Sequence, residues 1–280
     1  MQANTLTFIS CDAKYETSDI VLFGAPFDGT TSYRPGTRFA PQAIRLDSDG
    51  LETYSPYLNL DLLDKNIIDI GDVECTFGNK HKTLETIKNT VEKLIQDNKK
   101  PLMIGGEHLV TLPAFEALLK RFPSLILIQF DAHTDLRDSY LGEPLSHATV
   151  VKRIHDLVGD QRIYQFGIRS GTKEEFEFAK KHTTLEPFTI DSLEDVVLSL
   201  KDTPVYITID LDVLDPSIFP GTGTPEPGGV DFKTFLSALH GLKSLNIVGA
   251  DVVELSPDYD PSNVSTAVAS KVIRELLLMM

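Results

Sequence analysis

The sequence predicts an α/β fold, in which a mostly parallel sheet carries helices on both faces within a single domain. The first observation is a rhythm: short apolar runs rich in Val, Ile and Phe alternate with longer segments whose apolar residues recur every three or four positions. The second is that the apolar runs read as strands buried on both sides. At 280 residues, the chain is also long enough to bury a sizeable core.

Eight apolar runs are predicted to be strands, at residues 20–24, 67–70, 102–104, 125–130, 162–167, 187–190, 205–209 and 246–253. Helices are predicted at 83–96, 112–121 and 261–280. In the first of these, one face collects Leu84, Ile87, Val91, Leu94 and Ile95. The Gly/Pro-rich loops at 30–41 and 215–229 are too short to separate domains, so residues 1–280 are expected to form one domain. The last helix is expected to pack on the sheet, with a subunit contact as the alternative for its apolar end.

Composition narrows the choice of partners. The chain has 41 acidic and 26 basic residues and a formal charge of -15, which argues against nucleic acid or an anionic membrane as a partner. A cationic substrate would be attracted, although the acidity could equally serve solubility alone. The two cysteines, Cys11 and Cys75, suggest neither a disulfide framework nor a thiolate zinc site. Because no signal peptide or membrane span is recognisable, a cytoplasmic location is expected.

Metal-binding residue types cluster where three predicted strands end. Asp131, His133 and Asp135 follow the strand at 125–130 at alternate positions, so their side chains can converge on one point along an extended backbone. Asp210 and Asp212 follow another strand, and His108 follows a third through Gly105-Gly106. In open α/β sheets, ligands bind beyond the carboxyl ends of the strands. These positions therefore predict a metal site at that edge of the sheet.

The number and type of these groups indicate two ions rather than one. Four aspartates and two histidines exceed the ligands of one tetrahedral zinc, but they suit two divalent ions that share bridging carboxylates. Oxygen-rich ligation with imidazole and no thiolate favours manganese, with magnesium, cobalt or iron as alternatives. The alternative to a metal site is that each Asp merely caps a helix or makes a turn.

The same residues carry a family resemblance. The segments 105–108 (GGEH), 131–135 (DAHTD), 146–147 (SH), 210–216 (DLDVLDP), 223–225 (GTP) and 251–254 (DVVE) resemble, in order, the motifs of the ureohydrolases, the arginase and agmatinase family. The resemblance implies an arginase-like three-layer α/β/α fold, two Mn²⁺ per subunit, hydrolysis of a guanidino group to urea and an amine, and a homo-oligomer, either a trimer or a hexamer.

By this resemblance each candidate ligand has a counterpart. Asp131 and Asp210 correspond to the bridging carboxylates, His108 and Asp135 to the further ligands of one ion, and His133 and Asp212 to those of the other. Two dications would lower the pKa of a water held between them and so supply hydroxide near neutral pH.

Three further residues are expected to handle the substrate. His147 corresponds to a proton carrier, for which an ordinary histidine pKa would be suitable, and Asp135 could also relay the proton. Glu254 corresponds to the carboxylate that grips the guanidinium, and Thr224 could add a contact. The alternatives are a hydrogen-bonded loop position for His147, an ion pair with Arg169 for Glu254, and plain turn chemistry for Thr224.

Agmatine is the expected substrate. Residues 136–140 (LRDSY) do not match the Asn and Ser residues that hold the α-amino acid head of arginine in arginases, and the remaining motifs look most like bacterial agmatinases. Asp138, Glu143 or the acidic field could receive the distal ammonium, which Arg137 would repel unless it is turned away or paired. The alternatives are another ureohydrolase (arginase, guanidinobutyrase or formimidoylglutamase), an amide deacetylase on the same fold, or a non-catalytic relative.

Some residues depart from the pattern or lie outside it. Glu107 and Leu109 stand where many family members have Asp and Ser, which could alter the hydrogen bonds around the first histidine ligand. The remaining histidines are interpreted as surface or structural residues: His81, His155, His182 and His240.

Overall fold

A parallel sheet forms the centre of the molecule in a computed structural model, which describes residues 6–200 and 202–280. The strands are β1 (Ile20–Gly24), β2 (Tyr54–Ser55), β3 (Leu60–Asp61), β4 (Ile67–Asp72), β5 (Lys100–Ile104), β6 (Ile126–Phe130), β7 (Ile163–Ile168), β8 (Thr184–Pro187), β9 (Pro204–Asp210) and β10 (Asn246–Val253). β2 and β3 pair with each other in a separate antiparallel hairpin. The other eight strands of this described part lie in the order β4–β1–β5–β10–β9–β6–β7–β8, and each neighbouring pair is parallel.

Helices cover both faces of the sheet. Over the described ranges they are α1 (Ala40–Ser48), α2 (Lys80–Gln96), α3 (Thr111–Arg121), α4 (Val150–Val158), α5 (Lys173–His182), α6 (Leu193–Ser199), α7 (Phe232–Gly241) and α8 (Val264–Met279). The apolar residues of α1, α6, α7 and α8 belong to the core on one face, and those of α2 to α5 to the core on the other. The predicted three-layer α/β/α arrangement is therefore confirmed.

The central strands are buried on both faces, which explains their nearly continuous apolar sequences. Every residue of β6 is buried, as is every residue of β9 and β10 after the first. At the chain's end, Leu276, Leu277 and Leu278 lie in the core, as expected for a helix that packs on the sheet.

The predicted strand at 187–190 is wrong. β8 ends at Pro187, and Phe188 turns the chain with a φ of 71°. The turn lets the Glu186 carboxylate accept the N–H groups of Asp191 (2.7 Å) and Ser192 (2.9 Å) just before α6 begins. A carboxylate at a helix N-terminus is favourable, so the start of α6 competes with any extension of the strand. Boundary shifts elsewhere are small: α2 begins at Lys80 and α8 at Val264.

Within residues 6–200 and 202–280, no helix is both long and apolar enough to cross a bilayer.

Candidate active site and metal centre

The predicted site residues meet at the carboxyl edge of the four central strands. Because β5, β10, β9 and β6 are adjacent in the sheet, the segments that follow them emerge side by side. His108 follows β5, Asp131 follows β6, Asp210 ends β9 and Glu254 follows β10. The topology thus brings together residues that are up to 146 positions apart in sequence.

Six side chains form two clusters that share one carboxylate. In the first, His108 Nδ1 lies 3.0 Å from Asp131 Oδ2, 3.1 Å from Asp135 Oδ2 and 3.4 Å from Asp210 Oδ2. In the second, His133 Nδ1 lies 3.5 Å from Asp131 Oδ1 and 3.0 Å from Asp212 Oδ2. The two oxygens of Asp131 face different clusters, which is the geometry that a carboxylate bridging two ions requires.

Hydrogen bonding fixes which nitrogen of His108 faces the carboxylates. Thr208 donates its hydroxyl proton to Asp251 (2.6 Å), so its oxygen accepts from His108 Nε2 at 2.9 Å. Nε2 therefore carries a proton, and Nδ1 is the nitrogen that faces the carboxylates. Burial lowers the pKa of His108, but Asp131, Asp135 and Asp210 outweigh burial and raise it well above the usual value, so a cation at Nδ1 would take the place of a proton. That buried nitrogen has no hydrogen-bond partner among the described residues. A ring nitrogen surrounded by carboxylate oxygens fits a cation, so the donor set suits a metal ion.

Buried polar side chains hold the shared carboxylate in place. Gln129 Nε2 donates to Asp131 Oδ2 (2.7 Å), Gln165 Nε2 donates to Gln129 Oε1 (2.8 Å), and Thr183 donates to Gln165 Oε1 (2.9 Å). His133 N–H donates to the other oxygen of Asp131 at 2.6 Å. Asp131 thus keeps one orientation between the two clusters because three buried residues form a chain of hydrogen bonds behind it.

Burial of so many acids perturbs their protonation. Burial and the neighbouring Asp131 raise the pKa of Asp135 to about 7. Burial, Asp212 and Asp131 raise the pKa of Asp210 well above its usual value. Without cations, these carboxyl groups retain protons at pH values where an exposed Asp would be ionised. Divalent ions would restore the charged forms, which is the second observation that fits a metal centre.

Two of the site residues have left-handed backbone conformations, Asp135 with a φ of 53° and Glu254 with a φ of 66°. The Asp135 carbonyl accepts the N–H groups of Val151 and Lys152 (3.1 Å each), which start α4. Glu254 Oε1 accepts His108 N–H at 2.7 Å. Such conformations are strained for non-glycine residues and persist where the surroundings impose them, most often at functional sites.

A cavity of about 260 Å³ opens above the clusters. Its walls include the predicted residues His108, His133, Asp135, His147, Asp210, Thr224 and Glu254. Thr224 Oγ1 lies 3.4 Å from Asp212 Oδ2, so it also contacts a candidate ligand.

His147 lies on the wall of this cavity. Its Nε2 is 3.4 Å from Ser32 Oγ, its ring packs edge-on against Tyr140, and its N–H donates to Thr30 Oγ1 at 3.3 Å. Burial is the main reason that its pKa falls to about 4, so the expectation of an ordinary histidine pKa is wrong. His147 is therefore neutral at neutral pH and can accept a proton.

Glu254 has no ion pair with Arg169, which rules out that alternative. The Arg169 guanidinium instead donates to backbone carbonyls, among them those of Glu226 (2.7 Å) and Asp212 (2.7 Å). Burial, followed by the charge of Glu107, raises the pKa of Glu254 well above its usual value. A buried carboxylate that faces a cavity without a cationic partner is suited to bind a cation there.

Sequence reasoning missed part of the cavity wall. Glu175, in the first turn of α5, accepts from Thr134 Oγ1 (2.7 Å) and lies 3.4 Å from Arg137 Nε. Its only sequence signal was the pattern Thr172-x-x-Glu175, a capping box. Arg137 lies over the Tyr140 ring at 4.6 Å and is paired, as one of the expected arrangements required.

The acids expected to receive the distal ammonium are engaged elsewhere. Asp138 is largely exposed and lies 3.3 Å from Lys152, while Glu143 pairs with Lys80. Neither is among the described residues that line the cavity. The structure therefore does not support a role for them at the substrate.

Fold and site together define an α/β protein whose carboxyl sheet edge holds clusters of carboxylates and imidazoles that could bind metal. The model of the Arginase family matches residues 18–279. The chain therefore belongs to the Arginase family, a family of metal-dependent enzymes.

Individual relatives agree with this assignment. Agmatinase of Bacillus anthracis is 48% identical, with 97% of this chain and 95% of the relative covered. N(1)-aminopropylagmatine ureohydrolase of Thermococcus kodakarensis is 41% identical over 90% and 88% of the two chains. A crystal structure from Clostridium difficile superimposes with a TM-score of 0.94 at 55% identity, covering 95% of this chain and 98% of that one.

Proposed function

We propose that this chain hydrolyses the guanidino group of agmatine to give putrescine and urea. The observation that carries the proposal is the pair of clusters sharing Asp131 beneath a cavity that also exposes Glu254. Agmatine hydrolysis is supported by the similarity, at 48% identity over nearly the whole chain, to a protein named agmatinase.

The proposed cofactor is Mn²⁺, two ions per subunit. His108, Asp131, Asp135 and Asp210 would hold one ion, and His133, Asp212, Asp131 and Asp210 the other, with oxygen-rich ligation and no thiolate favouring manganese. When bound, such a pair supplies the nucleophile by lowering the pKa of water. The position of His108 Nδ1 among carboxylate oxygens and the raised pKa values of Asp135 and Asp210 support this assignment.

Glu254 would orient the substrate. A guanidinium offers paired N–H donors that match the two oxygens of a carboxylate. One oxygen of Glu254 is fixed by His108 N–H, so the carboxylate cannot turn freely and presents its other oxygen in a set direction. The arriving cation would also stabilise the ionised form of a carboxyl group whose pKa burial has raised. Thr224, whose hydroxyl lies beside Asp212, would limit how the guanidinium sits.

His147 would carry the proton. An amine leaves readily only when its nitrogen is protonated, so the reaction needs a group that takes up a proton and passes it on. The neutral imidazole of His147 can accept a proton at the cavity wall, and its low pKa makes the protonated form a strong donor towards the departing nitrogen. Asp135, which lines the same cavity, is the second candidate for this relay.

One observation favours a second candidate substrate, 4-guanidinobutyrate. Arg137 lines the cavity, and a carboxylate at the far end of the substrate could pair with it. However, Arg137 is already paired with Glu175. Because this pairing offsets the positive charge of Arg137, the residue repels the distal ammonium of agmatine less strongly.

Product release from a set of substrates tests the proposal. After manganese loading, urea is measured from agmatine, arginine, 4-guanidinobutyrate and N(1)-aminopropylagmatine, with chelated protein as the control. Agmatine should give the highest kcat/KM. A higher value for 4-guanidinobutyrate that falls in Arg137→Gln would transfer the assignment to the second candidate, and absence of urea from all four would refute both.

We also propose a cytoplasmic enzyme of polyamine biosynthesis that assembles as a trimer or hexamer. The exposed apolar side chains of Phe77, Leu141 and Leu63 provide surface for subunit contacts. Light scattering of the purified chain tests this; a monomer at micromolar concentration would contradict it.

A further inference from the structure

A second group of potential metal ligands lies away from the cavity, where the C-terminal ends of α4 and α5 meet. His155 Nε2 is 2.9 Å and His182 Nδ1 is 2.8 Å from the same oxygen, Asp160 Oδ1. The two imidazole rings lie 5.5 Å apart, and the donor atoms of all three residues are within 4.8 Å of one another. We propose that His155, Asp160 and His182 form a separate binding site for a zinc-class dication, with water completing the coordination.

The two nitrogen–oxygen separations need little change to admit the ion. With bonds of about 2.0–2.1 Å, tetrahedral zinc places its ligand atoms about 3.3 Å apart. The two nitrogen–oxygen separations would therefore each widen by about 0.5 Å, which small side-chain rotations can supply. Two imidazoles and one carboxylate are donors that zinc, copper and nickel accept, whereas manganese favours more oxygen.

The hydrogen bonding of His155 also permits metal binding. Its buried Nδ1 has no hydrogen-bond partner among the described residues. That nitrogen is unpaired whichever tautomer is present, so a metal on Nε2 sacrifices no hydrogen bond at Nδ1. Phe178 packs against both imidazoles, at 4.9 Å from His155 and 4.4 Å from His182, and so restricts the positions of both rings.

The surroundings favour a cation. His155 lies in the last turn of α4 and His182 in the last turn of α5, and the partial negative charge of helix C-termini attracts cations. The nearby cation Lys152, 5.4 Å from the Phe178 ring, is already paired with Asp156. It therefore leaves the Asp160 carboxylate available.

The site would fasten together the far ends of two helices that begin at the cavity. His147 lies just before α4, and Glu175 is in the first turn of α5. At 1.5 Å per residue, nine residues separate the two ends of α4 by about 13 Å. Zinc there should increase stability without taking part in the reaction.

Zinc counting on the full chain tests the proposal. Wild type, Asp160→Asn, His182→Gln and the control His81→Gln are saturated with zinc, freed of excess and analysed for metal. The control replaces an exposed histidine outside the cluster. Zinc also enters the main site, but equally in all four proteins, so wild type and His81→Gln should hold one more ion per chain than the other two.

Two further readouts separate this site from the main one. The zinc-dependent rise in the thermal midpoint should be smaller in Asp160→Asn and His182→Gln, while manganese-loaded His182→Gln should release urea at the wild-type rate. Circular dichroism without metal checks that each variant folds, and Asp160→Asn, at an exposed position, remains informative if His182→Gln does not. Equal zinc content and equal midpoint shifts in all folded variants would overturn the proposal.

Discussion

Replacing Thr208 with valine tests how the protein prepares His108 for metal. Thr208 is fully buried in β9, where its hydroxyl accepts from His108 Nε2 and donates to Asp251. Valine has nearly the same shape, so the change removes the hydrogen bonds to His108, Asp251 and Thr111 without leaving a void. Leaving His108 and Asp251 without this partner costs about 1–3 kcal/mol each, so a loss of roughly 2–6 kcal/mol in unfolding free energy is expected.

The effect on metal should exceed this general destabilisation. Without Thr208 to accept from Nε2, His108 is free to move its proton to Nδ1, the nitrogen that faces the carboxylates. Loss of a hydrogen bond behind a metal ligand typically lowers affinity about 10–100-fold, which corresponds to about 1.4–2.7 kcal/mol. The assay is urea release across a series of buffered free manganese concentrations, with the half-activating concentration as the readout.

Thr83→Val is the matched control. Thr83 is also fully buried, and its hydroxyl accepts from Thr76 N–H at 2.9 Å near the start of α2, away from the clusters. It should lose stability but keep the wild-type manganese dependence. If Thr208→Val needs no more manganese than Thr83→Val, the tautomer argument for His108 is refuted.

Four further outcomes are expected. His147→Asn should slow turnover about 10²–10⁴-fold with unchanged metal content, and an unaffected rate would remove His147 from the mechanism. Burial lowers the pKa of His147 to about 4, so the folded state favours the neutral imidazole. The resulting contribution to the free energy of unfolding is fully present above about pH 6.5 and is lost as the pH falls towards 4. Urea unfolding at pH 7 and pH 5 should therefore show a smaller drop for His147→Asn than for wild type. Glu254→Gln should lose about 1.5–3 kcal/mol of binding to the guanidinium, or roughly 10–150-fold in kcat/KM, at constant metal content; a loss of metal instead would make Glu254 structural. Chelation should lower the thermal midpoint, since Asp131 and Asp210 are then buried together without cations, and an unchanged midpoint would mean that these acids are stabilised by the protein alone.

The sequence predicted that the ligand clusters lie together because the carboxyl ends of parallel strands lie at one edge of a sheet. Alternate residues after β6 share a direction, and the parallel order places all carboxyl ends at one edge, so the sequence alone was enough to group Asp131, His133 and Asp135 with Asp210. The groups that support them could not be found this way. Gln165 reaches Asp131 only through Gln129, and this contact depends on the register between β7 and β6.

The chemistry of individual groups could also not be predicted from the sequence. The pKa of His147 is set by burial beneath loops whose packing no local pattern encodes. Glu175 reaches the cavity because α5 packs against the segment that follows β6, where it accepts from Thr134 and Leu136. The missed end of β8 has the same origin, since Glu186 favoured the start of the next helix over continued strand pairing.

The backbone strain at the site falls on two buried acidic residues. Asp135 and Glu254 each adopt a left-handed conformation that costs on the order of 1 kcal/mol, and both are acids placed in the interior. A protein selected only for stability would relax at least one of these features by placing glycine or a neutral residue there. Both residues are instead held by hydrogen bonds from neighbouring segments. The Asp135 carbonyl accepts from the start of α4, and the Glu254 carboxylate accepts from His108 N–H. The fold therefore holds both acids in place before a cation arrives, and less free energy is spent on ordering when a cation enters such a site than at a site that assembles only on binding.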